Sequence, residues 1–415
     1  AGKVAGVNIS SGSAGAGAAA RVVMRGTKSL TGNDNALYVI DGIPMFDVNT
    51  GDEKGGTMAK QPGSSSVADI NPDDIESMSV LSGPSAAALY GSAAASGVIL
   101  ITTKKGSEGR AKLTYSNTTQ FHTAWMTPKF QNIYGNNEGE FTSWGKRLET
   151  PTSYDPMDFF QTGATEINAL TLTLGTDKNQ TYASAAVTNA PGIMPESDYN
   201  RYNFSIRNTS KFYNDKLTLD LGASYIIQNN KNFVGSGEYF NPLASLYLFP
   251  RGENFDDVRM FERFDPSRNL MTQYWEQKYS TAFTMQNPYW TQKRMLREAR
   301  KQRYMFNASL KYDILPWLYI MGRVRTDNAN TVYEEKYHAS TIMVLAGSDK
   351  GMYGKTRTMN RSTYADVMAS MNKNFFDNRL NVNVQVGASL NDMLEESEKY
   401  EGGLATIPNF FAYGN

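Results

Sequence analysis

His122 and His338 are the only histidines in the chain, and cysteine is absent. Thiolate metal sites, cysteine nucleophiles and disulfide scaffolds are thereby excluded. Neither histidine is accompanied by a Gly-x-Ser-x-Gly elbow or a metal-spaced second histidine, so chemistry that relies on a positioned imidazole finds no support. Carboxylates occur in neighbouring pairs at Asp73-Asp74, Asp256-Asp257, Glu334-Glu335 and Glu395-Glu396. A glycosidase needs two carboxyl groups about 5–10 Å apart across a cleft, whereas sequence neighbours on a strand point to opposite faces. These pairs read as solvated loop charge. Asp52-Glu53 and Glu395-Glu396-Ser397-Glu398 lack the regular spacing of a calcium loop. The glycine-rich run from Ser10 to Gly17 is not followed by the Gly-Lys-Ser/Thr of a phosphate loop. The residues argue against an enzyme, and no cofactor or metal is called for.

The elements that carry these residues are strands. The 415 residues include only 20% charged side chains but 12% aromatics, with 35 Gly and 24 Tyr, a balance that suits long strands and turns better than helix bundles. Lys+Arg and Asp+Glu both total 41, so nothing favours nucleic acid or another uniformly charged partner. Mean hydropathy is negative, and no stretch approaches the roughly 18 consecutive apolar residues of a membrane helix. A transmembrane barrel remains open, because its strands alternate apolar and polar residues.

That alternation is present. Leu217, Leu219, Leu221, Ala223, Tyr225 and Ile227 alternate with Lys216, Thr218, Asp220, Gly222, Ser224 and Ile226. Phe306, Ala308, Leu310 and Tyr312 oppose Asn307, Ser309, Lys311 and Asp313, and Leu380, Val382, Val384 and Val386 oppose Asn381, Asn383, Gln385 and Gly387. The period holds for about 10 residues or more, the length of a tilted membrane-crossing strand rather than the 5–6 of a soluble one. The leucines 217, 219 and 221 are expected to face lipid, and Thr218 and Asp220 the interior. From a strand near 112–125 onward, the connections run long at 126–165, short at 176–179, medium at 191–198, short at 213–216, long at 229–302, short at 313–316, long at 331–361 and short at 377–379. Tight turns on one rim and large loops on the other are the rhythm of an up-and-down barrel. Trp125, Phe212-Tyr213, Trp317 and Phe375-Phe376 gather near strand ends, where interfacial girdles lie. The expected fold is an all-β, antiparallel, up-and-down transmembrane barrel with about ten strands over 111–415, preceded by an α+β unit over 1–110. Its rivals are a soluble, secreted β-rich glycan-binding protein or hydrolase, and a passive porin.

The first unit reads as a strand, a polar turn and a buried strand over 21–46, then a short helix capped by Asn71 with Pro72 in its first turn. Met24-Arg25-Gly26, Ala36-Leu37-Tyr38-Val39-Ile40-Asp41-Gly42, Asp74-Ile75-Glu76-Ser77, Gly83-Pro84-Ser85-Ala86-Ala87-Ala88-Leu89-Tyr90-Gly91-Ser92 and the stretch from Gly97 to Gly106 form an ordered series of motifs. This series resembles the plug of TonB-dependent outer-membrane transporters of the SusC/RagA family. The similarity continues at Ser197-Asp198-Tyr199-Asn200-Arg201-Tyr202-Asn203-Phe204, Asn241-Pro242-Leu243-Ala244-Ser245 and Asn287-Pro288-Tyr289-Trp290. Ser82, Ser79, Ala93 and Ser96 stand where the family usually carries a charged residue, an acid, an Arg and an Asn, groups that help lock the plug to the barrel wall.

The resemblance implies active import of an oligomeric nutrient, an oligosaccharide foremost and an oligopeptide second, across the bacterial outer membrane. It implies a SusD-like surface lipoprotein as lid, a periplasmic TonB contact with ExbB/ExbD behind it, and a dimer of transporter–lid pairs. The plug is expected inside the barrel, with Arg25, Gly26, Asp41, Gly42, Gly83, Pro84, Tyr90 and Gly91 as its motif residues. A compact unit of about 110 residues has a radius of gyration near 13 Å, too large for a ten-stranded barrel. The family's barrel of about 22 strands implies that further strands and upstream segments belong to the whole protein. In such plugs the segments 28–35 and 46–66 rise toward the outer mouth. Asn33, Asp34, Asn35, Asp47, Asn49, Asp52 and Lys54 are then the candidates for hydrogen-bonding a hydrophilic cargo, and Phe46 for stacking on it.

Overall fold

The structure is a computed structural model that describes residues 7–10, 21–24, 35–45, 60, 66–81, 90–125, 127–137, 140, 143–235, 237–275, 286–377 and 379–415. The N-terminal unit begins with an antiparallel pair, β1 (Val7–Ser10) and β2 (Arg21–Met24). The strands β3 (Leu37–Ile40), β4 (Ile43–Met45), β5 (Ile75–Leu81) and β6 (Val98–Thr103) then build a four-stranded sheet in the order β4-β3-β6-β5. β3 and β6 run parallel at its centre. The run Leu37-Tyr38-Val39 is buried at every position because both faces of the sheet are covered. Tyr38, Ile99 and Ile101 pack with Val22, Met24, Ala36 and Met45 on one face, and Leu37, Val39 and Val98 with Ala94 on the other. Asn71 caps the single turn Pro72–Asp74 by accepting a hydrogen bond from the Asp73 N–H, as its place before proline leads one to expect.

The second unit is one antiparallel sheet of nine strands: β7 (Gly109–His122), β8 (Gly163–Gly175), β9 (Asn179–Pro191), β10 (Asp198–Phe212) and β11 (Leu217–Lys231), and, beyond a small hairpin of β12 (Glu262–Asp265) and β13 (Leu270–Gln273), β14 (Met295–Leu315), β15 (Leu318–His338), β16 (Gly351–Phe375) and β17 (Leu380–Gly403). Each of the eight strands after β7 pairs with its predecessor in the sheet, the up-and-down order that alternating loop lengths imply. β7 and β17 are the two edges, so the sheet does not close on itself. The sheet therefore has nine described strands against the ten or so expected. One of the expected loops is shorter than the sequence suggests, because β15 runs to His338 and β16 starts at Gly351, giving a connection of 339–350 instead of 331–361. Glu334, Lys336 and Lys355 on one face and Glu335 on the other put charge on both faces of these extensions, so the apolar–polar alternation that marks a strand in lipid fades while the hydrogen-bonded ladder continues. The tight turn at 213–216 is made by Tyr213, Asn214 and Asp215 with φ of 53°, 54° and 65°, which matches the right-handed twist of the flanking strands.

The two faces of this sheet meet different surroundings. Phe204, Ile206, Leu221, Phe306, Leu310, Val324, Val367, Val386 and Leu390 are exposed on one face, and an apolar belt of this extent belongs against lipid. The other face carries Tyr182, Arg201, Asn203, Arg207, Asp220 and Arg303, which are buried against the N-terminal unit. The alternation read along β11 is realised: Leu221 is outward and Asp220 is enclosed. Among the described residues no helix is long and apolar enough to cross a membrane.

Leu221→Arg in the full-length protein should cost about 2–4 kcal/mol at mid-bilayer depth, read as a lower urea midpoint for loss of the heat-resistant gel mobility of the folded barrel. An unchanged midpoint would remove Leu221 from the lipid face.

Candidate functional site

The plug is bound to the inner wall through a seam of polar groups. Its first anchor is the Asp41-Gly42 turn between β3 and β4. Both residues have positive φ, 51° and 80°, as a two-residue hairpin turn requires, and Asp-Gly is among the few dipeptides that meet this need. The Asp41 carboxylate accepts the N–H and hydroxyl of Thr103 on β6, at 3.0 and 2.7 Å, and the Arg207 guanidinium of β10 at 2.9 Å. Arg207 also donates through Nε and Nη2 to Asp220 of β11, at 2.9 and 2.8 Å. Gly42 presents its carbonyl to Arg323 Nη1 at 3.2 Å. A Cβ at that position would lie 2.6 Å from the same nitrogen. The turn thus needs glycine both for its backbone and for its approach to the wall. Arg323 is held in turn by Asp366 of β16.

The second anchor is Asp69, which is wholly buried. Its Oδ2 meets Lys301 Nζ at 2.8 Å and Arg303 Nη1 at 2.7 Å, and Arg303 bridges onward to Asp327 through Nε and Nη2. Asn203 Nδ2 donates to the Asp69 carbonyl at 2.6 Å. Burial alone would raise the carboxyl's pKa, but Lys301 and Arg303 together outweigh it and hold Asp69 below the usual carboxylate range. Asp74 forms the third anchor, accepting from the Tyr182 hydroxyl at 2.8 Å and the Ser205 hydroxyl at 2.9 Å, while Asp73 accepts from Ser116 at 2.9 Å. A cavity of about 110 Å³ opens inside the seam, lined by Asp41, Asp69 and Asp74 of the plug and Asn203, Arg207 and Arg325 of the wall. It has room and polar partners for several waters.

Asp73-Asp74 and Glu334-Glu335 are therefore not simply solvated loop charge: Asp74 and Glu335 are buried and fully engaged. For Asp74 the expectation failed because its hydroxyl partners arrive from strands more than a hundred residues away, which local composition does not display; Glu335 is bonded by Tyr333 and Tyr337 of its own strand and met by Lys60 from the N-terminal unit. Asp256-Asp257 and Glu395-Glu396 are exposed, but they stand in a short helical turn and on β17 rather than in loops. Of the motif residues, Asp41 and Gly42 carry the seam. Tyr90 is half-buried, its phenol pKa raised by burial, and Gly91 opens a short turn at φ 70°. Arg25, Gly26, Gly83 and Pro84 lie outside the described residues, as do the candidate cargo contacts Asn33, Asp34, Phe46, Asp47, Asn49, Asp52 and Lys54. Asn35 is described and half-buried just before β3. Sequence reasoning missed Asp69, Arg207, Lys301, Arg303 and Arg323. The signal for the four wall residues is a basic side chain at inward positions of strands whose outward positions are aromatic or aliphatic, as in Tyr202 to Arg207 and Arg303 to Phe306; Asp69 has none. Ser79, one of the four departures from the usual anchors, is exposed on β5 and Ser96 is half-buried.

At the opposite rim from the tight turns, the long loops fold into a cap. Arg251 joins two of them. Its Nε donates to the Gln131 carbonyl at 3.0 Å and its Nη2 to the Tyr154 carbonyl at 2.8 Å, and the guanidinium lies over the Phe130 and Tyr154 rings. Phe159, Leu246, Phe249, Phe255 and Val258 form an apolar core beneath it. The aromatic residues of the 232–294 connection in part fill such cores: Phe240 and Trp290 are fully buried. Capping residues Asn241 and Asn287 start two short helices there, Pro242–Tyr247 and Pro288–Lys293. Among the described residues, no three metal-ligating side chains converge.

A family profile, the TonB-dependent Receptor Plug Domain, matches residues 1–98. The chain is 31% identical over 240 residues to TonB-dependent receptor SusC of Bacteroides thetaiotaomicron, a match covering 56% of this chain and 22% of that protein. It is 30% identical over 269 residues to TonB-dependent receptor P26 of Formosa agariphila, covering 60% and 24%. Its fold superposes on the RagAB peptide importer in the open-open state with a TM-score of 0.70 at 18% identity, over 100% of this chain and 47% of that one. The matches thus span less than a quarter of those two relatives and about half of the importer chain.

Asp69→Ala should weaken plug docking by about 3–5 kcal/mol, because it leaves two buried cations without their shared anion; the denaturant midpoint for plug release reads this. Because the docked pKa of Asp69 is depressed, its contribution is fully present above the free carboxyl value of about 3.9 and is lost as pH falls through the lowered docked value. Plug release in acid should therefore begin below the ordinary carboxylate range in the wild type, and Asp69→Ala should abolish that part of the transition. Arg251→Ala should speed hydrogen exchange in both the 127–137 and 143–160 segments of the β7–β8 connection, since charged hydrogen bonds of about 1.5–3 kcal/mol each tie them to 250–258; unchanged exchange in both segments would show that Arg251 does not join the two connections.

Proposed function

We propose that this chain is part of a TonB-dependent outer-membrane transporter of the SusC/RagA type, and that the whole protein actively imports an oligomeric nutrient across the bacterial outer membrane. Residues 1–110 act as the plug and 111–415 as part of the barrel. The observation that carries this reading is the polar seam. A plug held by Asp41, Asp69 and Asp74 can shed its wall contacts one at a time to water, because each ion pair and hydrogen bond has a hydrated alternative. An apolar interface of the same size offers no such path. Work applied from the periplasm by TonB, with ExbB/ExbD, then has a contact set that yields without unfolding the plug core.

The cargo is an oligosaccharide in the first reading and an oligopeptide in the second. The RagAB neighbour is a peptide importer, and its likeness favours keeping both. Asn33, Asp34, Asn35, Phe46, Asp47, Asn49, Asp52 and Lys54 are assigned to the plug surface beneath the cargo, where amide and carboxylate groups suit hydroxyls and peptide groups alike. A SusD-like lipoprotein closes over the outer mouth, and transporter–lid pairs assemble as dimers. The lipid-facing belt speaks against a soluble binding protein or hydrolase, and the docked plug against an open porin.

Mass spectrometry of ligand retained by the full-length complex should identify a glycan or a peptide. Uptake of that ligand should stop when the inner-membrane proton gradient is collapsed while surface abundance stays constant. Uptake that persists after collapse would make the protein a passive pore, and hydrolysis of the ligand by the purified complex would make it an enzyme.

A further inference from the structure

The lipid-facing side of the wall is not uniform. Across β14, β15 and β16 it sinks into a shallow hollow of about 560 Å³. Ala308, Gly322 and Ala365 bring the backbone to the surface there, and Leu310, Val324 and Val367 stand around them. A Cβ at Gly322 would meet a single atom within 4 Å, the Asp366 carbonyl oxygen at 3.8 Å, so the space in front of this glycine is open. Toward the rim of the long loops, Tyr304, Asn328 and Arg361 lie side by side in register on the same face, about 13 Å along the strands from Ala308, Val324 and Ala365. The row continues through Tyr225 on β11 and Phe204 on β10, both exposed, which marks it as the upper border of the apolar belt. Arg361 is exposed, and among the described residues it makes no ion pair or hydrogen bond. Its same-face neighbours are Met359 and Thr363 along β16, Asn328 across on β15 and Leu394 across on β17. The acids Asp392 and Glu396 are diagonal to it, and neither pairs with it.

We propose that the β14–β16 wall holds a phosphorylated lipid of the outer leaflet, its phosphate on Arg361 with Tyr304 and Asn328 beside it and one acyl chain in the hollow. The chemistry is matched at both ends. A guanidinium at the border of a hydrocarbon layer calls for an anion anchored at the same depth, and phosphate offers paired acceptors to its planar fork. The Tyr304 phenol and the Asn328 amide add neutral donors in the same row, Asn328 keeping a second N–H beyond its bond to Thr326 at 3.1 Å. Below them, a hollow in a filled apolar surface forfeits dispersion contacts unless an apolar chain occupies it. The span of about 13 Å between donors and hollow requires head and chain in one molecule, which selects a lipid over free phosphate. The three strands are paired on both sides, so strands added at the edge of the sheet leave this face unchanged. The inference rests on reading 111–415 as part of a membrane barrel and is independent of the cargo.

The test is native mass spectrometry of the purified full-length protein, delipidated and returned to neutral-detergent micelles carrying dimyristoyl phosphatidate or dimyristoyl phosphatidylcholine at equal mole fraction. Wild type should retain phosphatidate in preference to phosphatidylcholine. Arg361→Gln should weaken phosphatidate retention about tenfold through loss of charged hydrogen bonds, with Arg361→Lys intermediate. Gly322→Leu, which fills the hollow and keeps every charge, should weaken it as well, and neither change should alter the retention of phosphatidylcholine. Inorganic phosphate should leave the bound lipid in place; displacement by phosphate alone would make this a free-anion site and overturn the proposal. Equal retention of the two lipids, or unchanged phosphatidate retention in folded Arg361→Gln or Gly322→Leu, would overturn it too. So would a protein dimer, formed without lipid, that Gly322→Leu dissociates, because the face would then be an interface between copies. Heat-resistant gel mobility establishes that each variant is a folded barrel; a wild type that lacks it would overturn the barrel reading, and the site with it.

Discussion

A carboxylate with no access to water has to be met by cations, and Asp69 meets two of them on a single wall strand. The position of the plug follows from this requirement. Lys301 and Arg303 lie two residues apart, so the strand period turns both toward the interior, and Arg303 is itself fixed by Asp327 on the next strand. Moving the plug by one residue along the wall would strand buried charge on both sides of the interface, at a cost no apolar contact nearby could offset. The Asp41–Arg207–Asp220 bridge repeats the arrangement on β10 and β11. Together the two bridges set the plug's height and rotation.

The wall can supply these cations because its two faces answer to different solvents. Outward positions such as Leu221, Phe306 and Val324 are apolar and exposed to lipid, which leaves inward positions free to carry arginine, lysine and asparagine. The same alternation that inserts the strand in the membrane thus also presents the plug's partners. Pairing the plug through polar groups leaves a cavity of about 110 Å³ along the interface, a space for water where a tightly packed apolar seam would have none.

Above the membrane the logic changes. The strands β14 to β17 run on for 21 to 25 residues, well past the roughly 9–11 a bilayer requires, and the loops around them acquire apolar cores of their own. Arg251 ties loops from distant parts of the chain through backbone carbonyls. The outer rim is consequently a folded layer, and Lys60 brings the plug into contact with the strands that support it.

The strands, their facing and the up-and-down order were legible in the sequence because a period of two over ten or more residues is a local property: Leu217 to Tyr225 displays it without reference to any other segment. The Asp41-Gly42 turn and the Asn71-Pro72 cap were legible for the same reason, each resting on the backbone preferences of adjacent residues. Asp69 carried no such mark. It sits in Ser-Val-Ala-Asp-Ile, a stretch with nothing to distinguish a buried acid from a solvated one, and its partners lie more than 230 positions away. Glu335 looked like half of an ordinary acidic pair until Lys60 of the N-terminal unit was brought beside it. The sequence by itself determined which residues could face inward, since alternation is encoded one neighbour at a time. Only the tertiary structure decided which inward charges meet, because the desolvation that makes such a meeting obligatory exists only once plug and wall have closed over it.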